Sequence, residues 1–255
     1  MDGMKKAILG CAACVAMCVF CARGDSEKPG DEGEAFDRML NTYYRAPDSA
    51  KAIAAIPHAV KFAKGKSSAR APLSGFYFGA ASKSLDRKDA WEKSRKGLKA
   101  RWLDQAIGRA LDGKKLSDVV DGDPKKMGPA TLDFLWGYFL ATGDAESPRM
   151  VIERGGVVFP EDASFDLTAS SAQWSALSLA HDHPIVKAEL EKFALEANEK
   201  ALGNFFGDSI PAEARSLFSK DAIARIEAAL AKMKKTDTKV EKSAAPKQKK
   251  SAEAK

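Results

Sequence analysis

Two histidines on either side of an aspartate form the closest group of metal-binding side chains in this sequence, at His181-Asp182-His183. Imidazole nitrogens and carboxylate oxygens are ligands that zinc prefers in proteins. The group precedes Pro184, however, and proline is common at the first position of a helix, where Asp182 or His183 would be the N-cap. The pattern therefore favours a helix cap. Metal binding by His181 and His183 is the weaker hypothesis.

A second group of reactive side chains consists of four carboxylates around the pair Gly155-Gly156. Two carboxylates on opposite sides of a sugar ring can cleave a glycosidic bond. Spacing along the chain cannot place two carboxylates across a cleft, and 30% of all residues are charged, so such groups also arise by chance. The four are Glu153, Glu161, Asp162 and Asp166.

A third candidate is Ser209, in Phe206-Gly207-Asp208-Ser209-Ile210. This block resembles the nucleophile block of the GDSL-type esterases, in which the serine attacks an ester and a late Asp-x-x-His supplies the base. That family places the block early, after a buried strand. Here it comes late, after a predicted helix, and no histidine follows Ser209. The sequence favours a turn before Pro211, and we predict no catalytic residue and no cofactor.

All four cysteines lie in the first 24 residues, which have the layout of an export signal. Lys5 and Lys6 precede an uncharged run over 7–22, which is short for a membrane span, and Ala22-Arg23-Gly24 offers small residues at a cleavage point. Cleavage after Gly24 would leave a chain without disulfides or thiol chemistry. The C-x2-C-x3-C-x2-C spacing therefore does not indicate a metal site. The cysteines are Cys11, Cys14, Cys18 and Cys21.

Export leaves three fates open for this segment. Soluble export is the first. Lipid anchoring through Cys21 is the second, although Cys18-Val19-Phe20 matches the usual sequence before a lipidated cysteine poorly. An uncleaved anchor is the third. All three place the chain outside the cytoplasm, in the periplasm or at the cell envelope.

The net charge of +6 comes from the ends of the chain and not from its body. Residues 25–231 contain 29 basic and 31 acidic residues, whereas 232–255 contain nine lysines and three acidic residues. The body is long enough for one sizeable domain. No helix-turn-helix, zinc knuckle or phosphate loop stands out, so we expect no sequence-specific nucleic-acid binding.

Apolar residues recur at helical spacing through most of the body, starting with Phe36, Met39, Leu40 and Tyr43. The sequence predicts a helix over 50–64 that is kinked or split at Pro57, one long helix over 87–111 capped by Asp86, and a buried helix from Gly128-Pro129 to Gly143-Asp144. Only 157–160 looks like a strand. We therefore predict an all-α fold.

A faint repeat runs through these helices, because Trp136 and Trp174 each lie in an apolar helix that precedes an Asp-bearing loop and a Pro-initiated helix. This arrangement resembles tetratricopeptide-type helical hairpins in length and in Trp136-Gly137-Tyr138. The stretch 130–195 also resembles uncharacterised exported bacterial proteins. We predict stacked antiparallel helical hairpins, either as a solenoid-like stack or as an irregular bundle.

Four segments follow from these patterns: a signal peptide (1–24), a linker (25–33), an all-helical domain (34–231) and a disordered Lys-rich tail (232–255). The helical spacing of seven aromatic residues favours the core over the alternative, the lining of a ligand groove. They are Phe76, Tyr77, Phe78, Phe134, Trp136, Tyr138 and Phe139. The tail has almost no bulky apolar residues, so it is either a solubilising tail or a contact for anionic polymers or lipids. A non-enzymatic binding or scaffold protein for a protein or peptide is our main hypothesis. An envelope hydrolase of glycan or ester is the alternative.

Overall fold

A computed structural model of the chain describes residues 31–158 and 166–244. Twelve α-helices and several short 3-10 turns account for most of this part of the chain, and it contains no strand. The helices are α1 (Asp31–Thr42), α2 (Ser49–Ala54), α3 (Ile56–Gly65), α4 (Arg70–Ser82), α5 (Lys88–Arg95), α6 (Arg101–Leu111), α7 (Pro129–Thr142), α8 (Glu146–Gly155), α9 (Leu167–Ala180), α10 (Pro184–Glu196), α11 (Glu199–Phe206) and α12 (Lys220–Ala244).

The prediction of an all-α fold is confirmed, and most predicted boundaries agree with the structure. Pro57 is in the first turn of α3, directly after α2 ends, so the expected split occurs there. Pro129 begins α7, and Gly143 ends it in the left-handed conformation with φ +65°. Whether the hairpins form a solenoid-like stack or an irregular bundle stays a prediction.

Helices α4 and α7 make the most extensive helix–helix contact in the domain, and two glycines allow it. A Cβ atom at Gly75 would lie 1.9 Å from the carbonyl oxygen of Phe134, and a Cβ atom at Gly137 would lie 1.8 Å from that of Pro72. The backbone of the opposite helix therefore contacts each glycine at the position where a side chain would begin. Interhelical distances this short require residues without a side chain at the crossing point.

The aromatic side chains of α4 and α7 form the centre of the core, as the sequence predicts. Five of them are at most 2% exposed, Tyr138 is 7% exposed, and Phe134 is half-buried. The predicted stripe of α1 packs here too, because Phe36, Leu40 and Tyr43 are buried. The five are Phe76, Tyr77, Phe78, Trp136 and Phe139.

The prediction of a single helix over 87–111 is wrong, because the structure has two helices there, α5 and α6. Gly97 adopts φ +79° in the turn between the two helices, a backbone conformation that favours glycine. Arg95 at the end of α5 then donates to the carboxylate of Asp104 in α6 at 2.8 Å. Trp91 and Leu103 are both buried, so the apolar pattern is correct although the helix is not continuous.

The last helix continues past the boundary that the sequence predicts at 231. Helix α12 is described to Ala244, so its final turns occupy the first half of the segment expected to be a disordered tail. Residues 220–244 contain neither Gly nor Pro, and helix propensity favours continuation in such a segment. Likewise α1 begins at Asp31, within the expected linker. The signal segment, with Cys21, and residues 245–255 lie outside the described residues.

Candidate functional site

The two histidines that the sequence places together have different environments. His183 is 3% exposed and is the N-cap position of α10, but its side chain makes no capping hydrogen bond. His181 is exposed at the end of α9. Within 31–158 and 166–244, no three His, Cys, Asp or Glu side chains are grouped as metal ligands would be.

The imidazole of His183 binds the N-terminal part of the chain instead. Its Nδ1 lies 3.1 Å from the hydroxyl of Tyr44, and its ring packs against the rings of Tyr44 and Phe139. The Tyr44 hydroxyl also accepts a hydrogen bond from Nε of Arg45, and its own proton is available to Nδ1 when that nitrogen is the acceptor of the neutral imidazole. Burial, together with the nearby positive charge of Arg45, lowers the pKa of His183 below its ordinary value.

Of the four carboxylates near Gly155-Gly156, the structure describes two, and they have separate roles. Asp166 accepts hydrogen bonds from the backbone of Thr168 and Ala169 as the N-cap of α9, and it pairs with the buried Arg154 at 2.6 Å. Glu153 is exposed on α8. Asp166 therefore has a structural role, as the cap of α9 and the partner of Arg154. Glu161 and Asp162, like the end of the strand-like stretch 157–160, lie outside the described residues.

Ser209 is exposed in the loop after α11, as expected for a turn residue. No hydrogen bond joins its hydroxyl to a histidine in the described part of the chain. The neighbouring Asp208 contributes its backbone carbonyl to Nζ of Lys234 at 3.1 Å. One hydrogen bond thus connects the block to helix α12.

Asp133 of α7 is a titratable residue that the sequence analysis does not single out. Burial raises the pKa of this carboxyl to about 7. A carboxyl that titrates near neutrality is a candidate for proton transfer. In the sequence it is one Asp in an apolar run, and only the packing around α7 distinguishes it.

Helix α9 carries two of the five large apolar side chains that are exposed in the described part of the chain. Trp174 is 45% exposed and Leu167 is 47% exposed. They are seven residues apart, about 10.5 Å along the helix axis and nearly in line. Ser171 lies between them and His181 follows one further heptad along. We call Leu167, Ser171, Trp174, Ser178 and His181 the Trp174 face.

The helix that carries the Trp174 face is held firmly on its other side. The side-chain amide of Gln173 donates to the carbonyls of Gly155 and Asn204, at 2.8 Å in each case. Ser175 accepts a hydrogen bond at 3.1 Å from the indole of the buried Trp136. The two tryptophans of the apparent repeat therefore differ, since Trp136 belongs to the core and Trp174 to the surface.

No helix in the described residues is both long and apolar enough to cross a membrane. Comparisons of the chain with protein-family models, with curated proteins and with solved structures each found no match.

Proposed function

We propose that this chain is an exported, all-helical binding protein of the periplasm or cell envelope that holds a protein or peptide partner on the Trp174 face. The observation that carries the proposal is the exposure of Trp174 on a helix whose other side is fixed. Tryptophan is enriched among the few residues that contribute most of the energy of protein–protein interfaces. Trp174 is 45% exposed, so its indole leaves apolar area that a partner would remove from water.

The composition of the Trp174 face also supports a protein partner. Leu167 and Trp174 supply apolar area, and the small hydroxyls of Ser171 and Ser178 leave space beside the indole ring. Interfaces combine such an apolar centre with a polar rim. His181 at the end of the stripe supplies a polar edge.

The remaining parts of the chain have supporting roles in this proposal. The first 24 residues direct export, by soluble release or by a lipid on Cys21. The lysines that follow residue 231 attract anionic polymers or lipid headgroups and keep the protein near the envelope, an interaction that salt weakens. No catalytic role is assigned, because the proposal needs none.

Affinity capture with matched variants tests the proposal. The full chain is tagged, cross-linked in cells that produce it, and recovered from the envelope fraction. We expect the native chain to recover a specific protein partner. Trp174→Ala or Leu167→Ala should reduce the amount of that partner recovered by about tenfold. Leu85→Ala is the control, because Leu85 is 48% exposed but lies outside the Trp174 face.

Equal capture by the native chain and by Trp174→Ala would contradict the proposal. So would recovery of anionic polymers or lipids without any protein. Mass spectrometry of the mature N-terminus tests the export step separately. A chain that starts at Asp25 means soluble export, and a lipid-modified Cys21 means anchoring.

A further inference from the structure

Basic and acidic residues are segregated between two halves of the helical domain. Residues 49–115, which form α2 to α6, contain 16 basic and 5 acidic residues, a net charge of +11. Residues 116–231, which form α7 to α11 and the first half of α12, contain 10 basic and 19 acidic residues, a net charge of −9. We call these ranges the basic half and the acidic half. A charge asymmetry of this size indicates a charged partner.

The two halves are also separate in space. Helix α4 is central to the basic half, where it contacts α2 and α6, and α5 contacts both of those helices as well. In the acidic half, α9 contacts α7, α8, α10 and α11. The halves meet chiefly where α4 crosses α7. The positive charge is therefore concentrated on one side of the domain, and the Trp174 face belongs to the other half.

The basic side chains of this half face solvent, and few of them are neutralised by a carboxylate. All 16 except Arg95 are exposed. Within the described residues, only Lys51 and Arg95 of this set form salt bridges. Residues 49–85 contain six basic residues and no acidic residue. Most of these cations are therefore available to an anionic partner from outside the chain.

The densest part of this surface is the turn between α5 and α6. Helix α5 ends at Arg95 and α6 begins at Arg101, so the side chains around the turn lie at the same end of the helix pair. Lys93, Lys96, Lys99 and Arg101 are all exposed there. Like charges at such short spacing repel each other, and a partner with many negative charges would remove that repulsion.

The composition of the basic half favours lipid headgroups over nucleic acid. Of its 16 basic residues, 11 are lysines, whose flexible ammonium groups act as point charges without the fixed geometry of a guanidinium. None of the six aromatic side chains in 49–115 is exposed, so bases would have no ring on which to stack. A surface of mobile anionic headgroups needs neither, because each lysine near it adds to the attraction.

We propose that the basic half is the face with which the folded domain contacts anionic phospholipid headgroups, with the turn between α5 and α6 as its strongest part. The contact is electrostatic, so salt weakens it. The Trp174 face belongs to the acidic half and stays accessible to a partner while the domain is bound to lipid. This inference goes beyond the proposed function and does not depend on the Trp174 face.

Sedimentation with lipid vesicles tests the inference. The probe is a vesicle of phosphatidylcholine with about 30 mol% phosphatidylglycerol, and its control is a vesicle of phosphatidylcholine alone. The full chain is used throughout, so the signal segment and the tail are the same in every sample. We expect at least about tenfold tighter binding to the anionic vesicle in about 0.05 M salt, and loss of most of this difference in about 0.5 M salt.

A matched pair of double variants distinguishes the basic half from the tail and from net charge. Lys96→Gln with Lys99→Gln removes two charges from the turn between α5 and α6. Lys200→Gln with Lys220→Gln removes two exposed charges from the acidic half. Both variants lose the same net charge. We expect the first to weaken binding to the anionic vesicle about tenfold and the second to change it less than about twofold.

Four outcomes would overturn the inference. Equal binding to the two vesicles would exclude an electrostatic contact with lipid. Equal effects of the two double variants would assign the attraction to the tail or to net charge. Tighter binding to a single-stranded oligonucleotide in the same salt would assign the basic half to nucleic acid. Self-association in low salt without vesicle binding would mean that the acidic half of a second copy covers it.

The vesicle experiment is also independent of the proposed function. Trp174→Ala leaves the basic half unchanged, so it should bind the anionic vesicle as the native chain does. Failure of vesicle binding would remove the role of the basic half and leave the capture of a protein partner by the Trp174 face intact. Loss of capture by Trp174→Ala with vesicle binding unchanged would support both assignments.

Discussion

The hydroxyl of Tyr44 lies 3.1 Å from Nδ1 of His183, and this hydrogen bond joins residues 139 positions apart in the chain. Arg45 strengthens the contact, because its guanidinium also donates to the backbone carbonyl of Asp182. The segment that follows α1 is thereby fastened to the turn between α9 and α10. This turn borders the Trp174 face, so the N-terminal segment stabilises the helix that would bind a partner.

Removal of the Tyr44 hydroxyl should destabilise the domain. In Tyr44→Phe, the buried Nδ1 of His183 loses its partner, and an unsatisfied buried group costs about 1–3 kcal/mol. We expect the free energy of unfolding, measured by urea denaturation, to decrease by an amount within that range. Tyr138→Phe is the control, because no described residue forms a hydrogen bond with that hydroxyl. A loss no larger than that of the control would contradict the role of the hydrogen bond.

Acid should weaken the same contact. The folded state lowers the pKa of His183 below its ordinary value of 6.5, so folding favours the neutral imidazole. Its contribution to stability is complete above pH 6.5 and is lost as the pH falls through the folded pKa. Urea denaturation at pH 8 and pH 5 should show a larger loss in the native chain than in His183→Gln. Equal losses would mean that His183 does not titrate on unfolding.

Asp133 should have the opposite pH dependence. Burial raises its pKa from 3.8 to about 7, so folding favours the protonated carboxyl. Its contribution is complete below pH 3.8 and is lost as the pH rises through 7. Three pKa units correspond to about 4 kcal/mol, and we expect Asp133→Asn to recover roughly half of it at pH 8, because the amide is also desolvated. Near pH 4 the two chains should be almost equally stable, and a gain there as large as at pH 8 would contradict the assignment.

The crossing of α4 and α7 should not tolerate a methyl group. Gly137→Ala would place Cβ 1.8 Å from the carbonyl oxygen of Pro72, which forces the helices apart. We expect a loss of about 3 kcal/mol in the free energy of unfolding, and a similar loss for Gly75→Ala. Gly65→Ala is the matched control, because nothing lies within 4 Å of the added atom. A tolerated Gly137→Ala would mean that the helices cross at a larger distance.

The two tryptophans of the apparent repeat should respond differently to truncation. Trp136→Ala removes a core side chain that is 2% exposed, and we expect a loss of about 3–5 kcal/mol. Trp174→Ala removes an exposed side chain, and we expect a change within about 0.5 kcal/mol. Thermal unfolding of both variants measures the difference. A large loss for Trp174→Ala would show that its indole stabilises the fold, and would weaken its assignment to binding.

Several features of the fold follow from local sequence alone. Helical spacing of apolar residues in α1, the split at Pro57 and the limits of α7 at Pro129 and Gly143 depend on neighbours within one or two turns. The core membership of Phe76, Tyr77 and Trp136 follows from the same spacing. The break at Gly97 is a local signal as well, but the continuous apolar pattern on both sides obscures it.

The arrangement of the candidate site depends on contacts between distant residues. His181 and His183 are two positions apart, yet one faces solvent and the other bonds to Tyr44, because helix packing determines what surrounds each side chain. The exposure of Trp174 and the raised pKa of Asp133 have no counterpart in residue spacing. By itself the sequence determined helical content, the core residues of single helices and the charge of the tail, because these depend on neighbours along the chain. Only the tertiary structure decided which polar and aromatic groups lost water, because burial depends on which helices meet.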